Sequence, residues 1–130
     1  MLMDSNLRKI ISVVNSLVVL VLNNPQEIKN DLNNLNNCIK DIQQQQYKLK
    51  SFMDDTSKKL QYWCNKYTDV YFLDTRNILS KTIKFIYFFI INYKLNKLSD
   101  YLYFAGILEK NLYIIYNRCI QFKTLLHHEV

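Results

Sequence analysis

The chain has 130 residues, 49% apolar and 22% charged, values that suit an ordinary globular domain and argue against a disordered chain. Glycine, proline and alanine occur once each, which excludes an all-β fold and the glycine-rich phosphate loops, because both need several turn residues. The net charge is +6. Its lysines are spread along the chain and arginine is scarce, so nucleic acid binding is disfavoured.

The residue bias points to the source rather than to the function. Residues with A/T-rich codons, such as Asn, Lys, Ile and Tyr, far outnumber those with G/C-rich codons, which indicates an AT-rich genome such as that of a large DNA virus. Cys38, Cys64 and Cys119 are odd in number and widely spaced, and the chain has no Asn-x-Ser/Thr sequon. These features predict an intracellular, reducing compartment.

Residues 1–24 are predicted to form an apolar helix. Asp4 or Ser5 can cap it, and the Asn-Asn-Pro cluster at 23–25 can end it. The apolar stretch 10–22 is shorter than the roughly 18 residues of a spanning helix, and no small-residue cleavage site follows it. A buried helix is therefore the preferred interpretation, and a membrane anchor and a signal peptide stay open as alternatives.

Residues 25–72 carry the strongest pattern, an unbroken heptad repeat. Apolar residues recur at alternating steps of four and three, as in a left-handed coiled coil. A helix of this length, roughly 65 Å, exceeds the width of a small domain, so part of the seam is expected to bind another chain. The predicted interface consists of Ile28, Leu32, Leu35, Ile39, Ile42, Gln46, Leu49, Met53, Thr56, Leu60, Trp63 and Tyr67.

The seam has two polar members and a widened side. Gln46 and Thr56 are polar, and a polar seam residue either fixes register or marks a locally wet seam. Cys38 and Phe52 occupy g positions, which broadens the apolar face beyond a two-stranded seam. The sequence therefore predicts contact with more than one helix, the C-terminal half of the chain among them.

Residues 73–130 are predicted to form a helical hairpin that packs on the long helix. Asp74 or Thr75 can cap its first helix, which contains the apolar run 85–91 flanked by lysines, and Ser99-Asp100 can cap a second helix over 101–126. Burial is the preferred interpretation of the run. An interfacial membrane segment with snorkelling lysines is the alternative for 83–93.

The sequence lacks a recognisable set of catalytic or metal-binding residues. The two histidines, His127 and His128, are adjacent near the terminus, and adjacent helical residues do not share a face. The cysteines have no C-x-x-C spacing, and Asp54-Asp55 lie on the outer side of the heptad helix. The expectation is a non-enzymatic protein with no cofactor and no bound metal.

The predicted architecture is all-α, with a long coiled-coil helix and a small antiparallel helical bundle of about four helices. The predicted function is that of a structural or assembly subunit, such as a small virion-assembly or accessory protein, which binds itself or a helical protein partner. The alternative is a peripheral or anchored membrane-associated protein that uses 7–22 and 83–93.

Overall fold

The structure is a computed structural model that describes residues 4–129, with side chains for 4–127. Within that range the chain is all-α with no strand, so the predicted fold class is confirmed. The long helix α3 (Leu32–Tyr71) packs against α4 (Ile78–Glu129) in a helical bundle. The first three residues of the predicted N-terminal helix and the side chain of His128 lie outside the described residues. The elements are α1 (Ser5–Val18), a π-helical turn (Val19–Asn23), α2 (Gln26–Lys29), α3 (Leu32–Tyr71) and α4 (Ile78–Glu129).

The helix α1 begins where the sequence predicts. The Asp4 carboxylate accepts hydrogen bonds from the backbone N–H groups of Asn6 at 2.8 Å and Leu7 at 3.3 Å, which satisfies donors that the first turn of a helix leaves unpaired. Past Val18 the helix widens into the π-helical turn, which ends just before Pro25. One face of α1 and this turn is buried, and it comprises Leu7, Ile10, Val14, Leu17 and Val21.

The predicted helix 25–72 is divided near its start. Pro25 opens α2, a single turn, and α3 begins two residues after that turn ends. The Asp31 carboxylate caps α3 by accepting from the N–H groups of Asn33 at 2.9 Å and Asn34 at 3.3 Å. An aspartate that competes for backbone N–H groups favours a new helix start over continuation. The apolar repeat alone does not reveal this break, because Ile28 keeps its buried seam position across it.

The described residues divide into two compact units. We call residues 4–52 with 104–129 the three-helix unit, and residues 53–103 the hairpin unit. The three-helix unit combines α1, the first half of α3 and the second half of α4. The hairpin unit contains only the remaining parts of α3 and α4. The long helices α3 and α4 therefore contribute to both units, whereas α1 belongs to the three-helix unit alone.

The core of the three-helix unit is built on the d and g positions of the α3 heptad. Leu35, Ile42 and Leu49 are fully buried at d, and Cys38 is buried at g. Gln45, also at g, is only 5% exposed, and no hydrogen-bond partner reaches its Oε1. An unpaired buried acceptor costs on the order of 1–3 kcal/mol. The buried side of α3 at the g positions therefore includes the polar residue Gln45 as well as the apolar residue Cys38.

The C-terminal half is one helix where the sequence predicts two. Ser99 and Asp100 are exposed residues inside α4 instead of a cap. The buried stripe of α4 continues past them in steps of three and four, which keeps the same side of the helix against α3. A Cβ at Gly106 would meet nothing within 4 Å, so this glycine does not serve a close helix approach. The stripe comprises Ile91, Leu98, Tyr101, Ala105, Leu108, Leu112, Ile115 and Cys119.

Candidate docking surface

The hairpin unit is a pair of antiparallel helices joined by a short turn. Asp74 accepts from the N–H of Arg76 and pairs with its guanidinium, both at 3.1 Å. Asn77, and not the predicted Asp74 or Thr75, caps α4 by accepting from the N–H of Ser80 at 2.7 Å. These local contacts reverse the chain within a few residues. They hold the end of α3 beside the start of α4.

The buried part of this pair is small. Thr56, Val70 and Ile91 are buried near its interface, and the rings of Tyr67 and Phe88 pack with centroids 5.0 Å apart. Two helices can cover only one side of each other, so their outer faces have no partner within the unit. The outer face of α3 meets solvent with polar residues, which include Lys58, Gln61 and Asn65. The outer face of α4 is different.

The exposed side of the first four turns of α4 is mainly apolar, with Thr82 as a polar residue within it. We call this set the α4 apolar face. At 3.6 residues per turn its members share one side of the helix. Ile78 is 84% exposed, and Phe85 and Phe89 are each 72% exposed. The face comprises Ile78, Leu79, Ile83, Phe85, Ile86, Phe89, Ile90 and Tyr93.

The area of this surface is large for a small chain. Tyr71, Phe72 and Tyr87 are exposed elsewhere in the hairpin unit. An aromatic side chain has about 150–250 Å² of surface, so the three rings of the face, Phe85, Phe89 and Tyr93, expose on the order of 400 Å², and its five aliphatic side chains add to this area. The largest apolar patch on a typical monomer is roughly 300–600 Å² and is often functional. The preferred expectation that the run 85–91 is buried is therefore wrong, because only Ile91 in it is buried.

Basic side chains surround the α4 apolar face. Residues 78–99 contain four lysines and no acidic residue. The lysines are Lys81, Lys84, Lys94 and Lys97. The Lys84 ammonium donates to the Tyr71 carbonyl at 2.7 Å and lies 5.4 Å from the Tyr71 ring centroid. It thereby fastens the base of α4 to the end of α3. The surface thus combines apolar area with uncompensated positive charge.

The predicted heptad interface lies mainly inside the chain. Its d positions from Ile28 to Thr56 and its a position Ile39 are buried, whereas the a positions Leu32 and Tyr67 are exposed. Gln46 is half-buried, so the polar a position does not sit in a closed seam. A partner that bound the buried d positions would have to displace the helices that cover them. The remaining half-buried seam residues, Met53, Leu60 and Trp63, lie in the hairpin unit.

Two of the three thiols meet in the core of the three-helix unit. Cys38 and Cys119 are buried and share a hydrogen bond. That bond, together with burial, raises the pKa of Cys119 well above its usual range. The same bond lowers the pKa of Cys38, against burial and the nearby Asp41 carboxylate, which raise it. Residues 4–127 contain no group of three or more metal-binding side chains that could hold an ion.

The burial of this pair predicts the reactivity of the three thiols. In native buffer at mild pH, a thiol reagent is expected to label Cys64, which is exposed, and to label Cys38 and Cys119 on the order of a thousandfold more slowly, because opening the core precedes their reaction. Mass spectrometry of the labelled peptides measures this. A Cys64→Ser variant should show no fast thiol. Rapid labelling of Cys119 would contradict the packing of α4.

One described helix is long and apolar enough to cross a membrane. It spans Ser5–Asn23, with a mean hydropathy of 1.5. A core helix and a signal sequence meet the same criterion. This helix is part of the three-helix unit, and one side of it is buried there, while Val13, Val19 and Leu22 are exposed. The anchor and signal-peptide alternatives for this segment therefore stay predictions.

No family model, curated protein or solved structure matches the chain.

Proposed function

We propose that this is a non-enzymatic assembly subunit that attaches to its site of action through the α4 apolar face. The observation that carries the proposal is the exposure of eight large apolar side chains on one side of α4. Exposed surface of this size on a soluble monomer favours aggregation, so its retention favours a docking role. The three-helix unit would act as the folded scaffold of the chain, and the hairpin unit would supply the docking surface.

The proposal differs from a coiled-coil partner at the heptad seam. Docking at the seam requires displacement of the helices that cover Ile42 and Leu49, both of which are fully buried. Docking at the α4 apolar face requires no rearrangement. Docking there also removes from water the large apolar side chains that are most exposed on α4. Coiled-coil association with a helical partner, or with a second copy, remains compatible with the half-buried seam residues of the hairpin unit.

The test is the state of the full chain in the cells that naturally make it. We expect the wild-type chain to migrate in density gradients with a larger assembly, and a Phe85→Asp/Phe89→Asp variant to move to the position of a free small protein. Both side chains are mainly exposed, so the substitution should leave the helical content unchanged. The loss of assembly should exceed about tenfold, because two apolar anchors of roughly 1.5–3 kcal/mol each are removed.

The matched control is Gln61→Asp/Asn65→Asp. These residues lie on the polar outer face of α3 with the same four-residue spacing, and they are exposed. The control adds the same two negative charges to the same unit. It should leave the assembly intact. A wild-type chain that migrates as a free small protein, or equal effects of the two variants, would sink the proposal.

A further inference from the structure

We infer that the surface covered by the α4 apolar face is an anionic lipid bilayer, along which the start of α4 lies in the interface. The inference rests on the proposed function and names its partner. It depends on four features of the hairpin unit: the sign of the charge, its position around the helix, the difference between the two sides of the helix pair, and the convex shape of the face.

The charge of this segment favours an acidic surface. Residues 78–99 carry four lysines and no acidic residue. On a helical projection, Lys81 and Lys94 lie just outside opposite edges of the α4 apolar face, while Phe85 and Phe89 lie within it. Lysines in these positions can extend their ammonium groups toward lipid phosphates while the phenyl rings enter the acyl boundary. A basic residue near an anionic membrane increases binding about fivefold.

The aromatic residues follow the same division. Phe85 and Phe89 lie midway along the length of the face, Tyr93 lies at its C-terminal end, and Tyr87 lies outside its edge; both tyrosines are about half exposed. A tyrosine has an apolar ring with a polar hydroxyl, which suits the boundary between lipid tails and headgroups. Lys97 lies 5.9 Å from the Tyr93 ring centroid. The end of the face thus pairs a basic group with an interfacial ring.

The hairpin unit is one-sided, which suits a helix lying on a membrane instead of crossing it. The outer side of α3 carries mainly exposed polar residues, such as Lys58, Gln61 and Asn65, with Tyr62 as an exposed ring among them, while the α4 side carries the apolar face. The uninterrupted apolar run 85–91 is far shorter than the roughly 20 residues of a spanning helix. Among the described helices, α4 does not meet the length and hydropathy criterion for a span.

A lipid surface fits better than a protein surface. The face is the convex side of one helix. A neighbouring depression of about 420 Å³ in the hairpin unit is lined by Cys64, Tyr67 and other residues, none of which belongs to the face. Protein partners require shape complementarity, whereas fluid lipid adapts to a ridge. A second copy placed face to face would bring lysines together with no acidic residue from 78–99 to pair with them.

The experiment measures co-sedimentation of the full chain with vesicles. One set is phosphatidylcholine alone, and in the other roughly a third of the lipid is phosphatidylserine. We expect at least tenfold stronger binding to the anionic vesicles, with a marked loss in high salt. Phe85→Asp/Phe89→Asp should reduce binding at least tenfold. The Gln61→Asp/Asn65→Asp control should retain most of it, although it adds the same charge. Lys81→Gln/Lys94→Gln should remove the preference for anionic lipid.

Sedimentation velocity without lipid separates the possible outcomes. If the chain does not bind vesicles but forms an oligomer, and the Phe85→Asp/Phe89→Asp variant is monomeric, the face binds a second copy. The lipid inference then fails, while the proposed function stands. Vesicle binding that is unchanged by both the Phe and the Lys substitutions would mean that another segment, such as α1, binds the lipid. That result would overturn the inference. If neither vesicle binding nor association nor cellular assembly responds to Phe85→Asp/Phe89→Asp, both proposals fail.

Discussion

Replacing Leu35 and Ile42 together with aspartate is expected to unfold the three-helix unit. Both side chains are fully buried at successive d positions of α3. Each substitution removes about 1.5–3 kcal/mol of apolar burial and places a carboxylate where nothing can pair with it, which costs several kcal/mol more. The sum reaches the whole stability of a typical domain, about 5–15 kcal/mol. Circular dichroism during urea titration measures the loss.

The matched control for this prediction is Asn37→Asp/Gln44→Asp. Both residues lie on the same helix within two positions of the buried pair, and both are exposed. The control adds the same charge, so its effect should stay within roughly 0.5 kcal/mol per site. Similar effects from the two double variants would mean that the register of α3 is wrong.

Truncation after Thr75 is expected to abolish cooperative folding, because it removes all of α4. The fragment loses a stripe of eight buried residues that covers α3. At roughly 1.5–3 kcal/mol for each large side chain, the loss exceeds the stability of the domain. Residual helix should remain in α3, without a cooperative thermal transition. Binding of a hydrophobic dye should rise above that of the full chain.

A shorter truncation provides the comparison. Removal of 124–130 deletes residues beyond Cys119, the last buried position of the stripe. This chain should keep its cooperative transition and its dye signal near those of the full protein. If the fragment that ends at Thr75 melts cooperatively and does not bind dye, α3 and α1 form a core that does not need α4.

Local signals in the sequence predict the helix class, the Asp4 cap and the buried d positions of α3. They do so because the 3.5-residue repeat assigns a single side of that helix to the core. The start of α4 has no such asymmetry. Its residues are apolar on most sides, so periodicity alone cannot tell which phenylalanines face α3 and which face outward. The location of α3 decides this: Phe88 packs on Tyr67, and Phe85 and Phe89 are left exposed.

The single α4 helix was beyond local prediction for a related reason. Ser99-Asp100 has the composition of a helix start, yet Leu98 and Tyr101 on either side continue a buried stripe. Tertiary packing along α3 outweighs a weak capping preference of about 1 kcal/mol. The break at Asp31 shows the opposite balance, since the capping carboxylate acts there beside an exposed Leu32 that packing does not hold.

The three-helix unit is discontinuous in the sequence, since residues 53–103 separate its two parts. During synthesis, α1 and the first half of α3 leave the ribosome long before residues 104–129 exist. Their apolar stripes then stay uncovered for several seconds at ordinary elongation rates. The hairpin unit is contiguous, and its short turn lets it close as soon as it emerges. If the hairpin unit forms first, it brings the two parts of the three-helix unit closer together and so shortens the loop that must close between them. Until residues 104–129 are synthesised, the apolar residues of α1 and of the first half of α3 would depend on chaperones to stay covered.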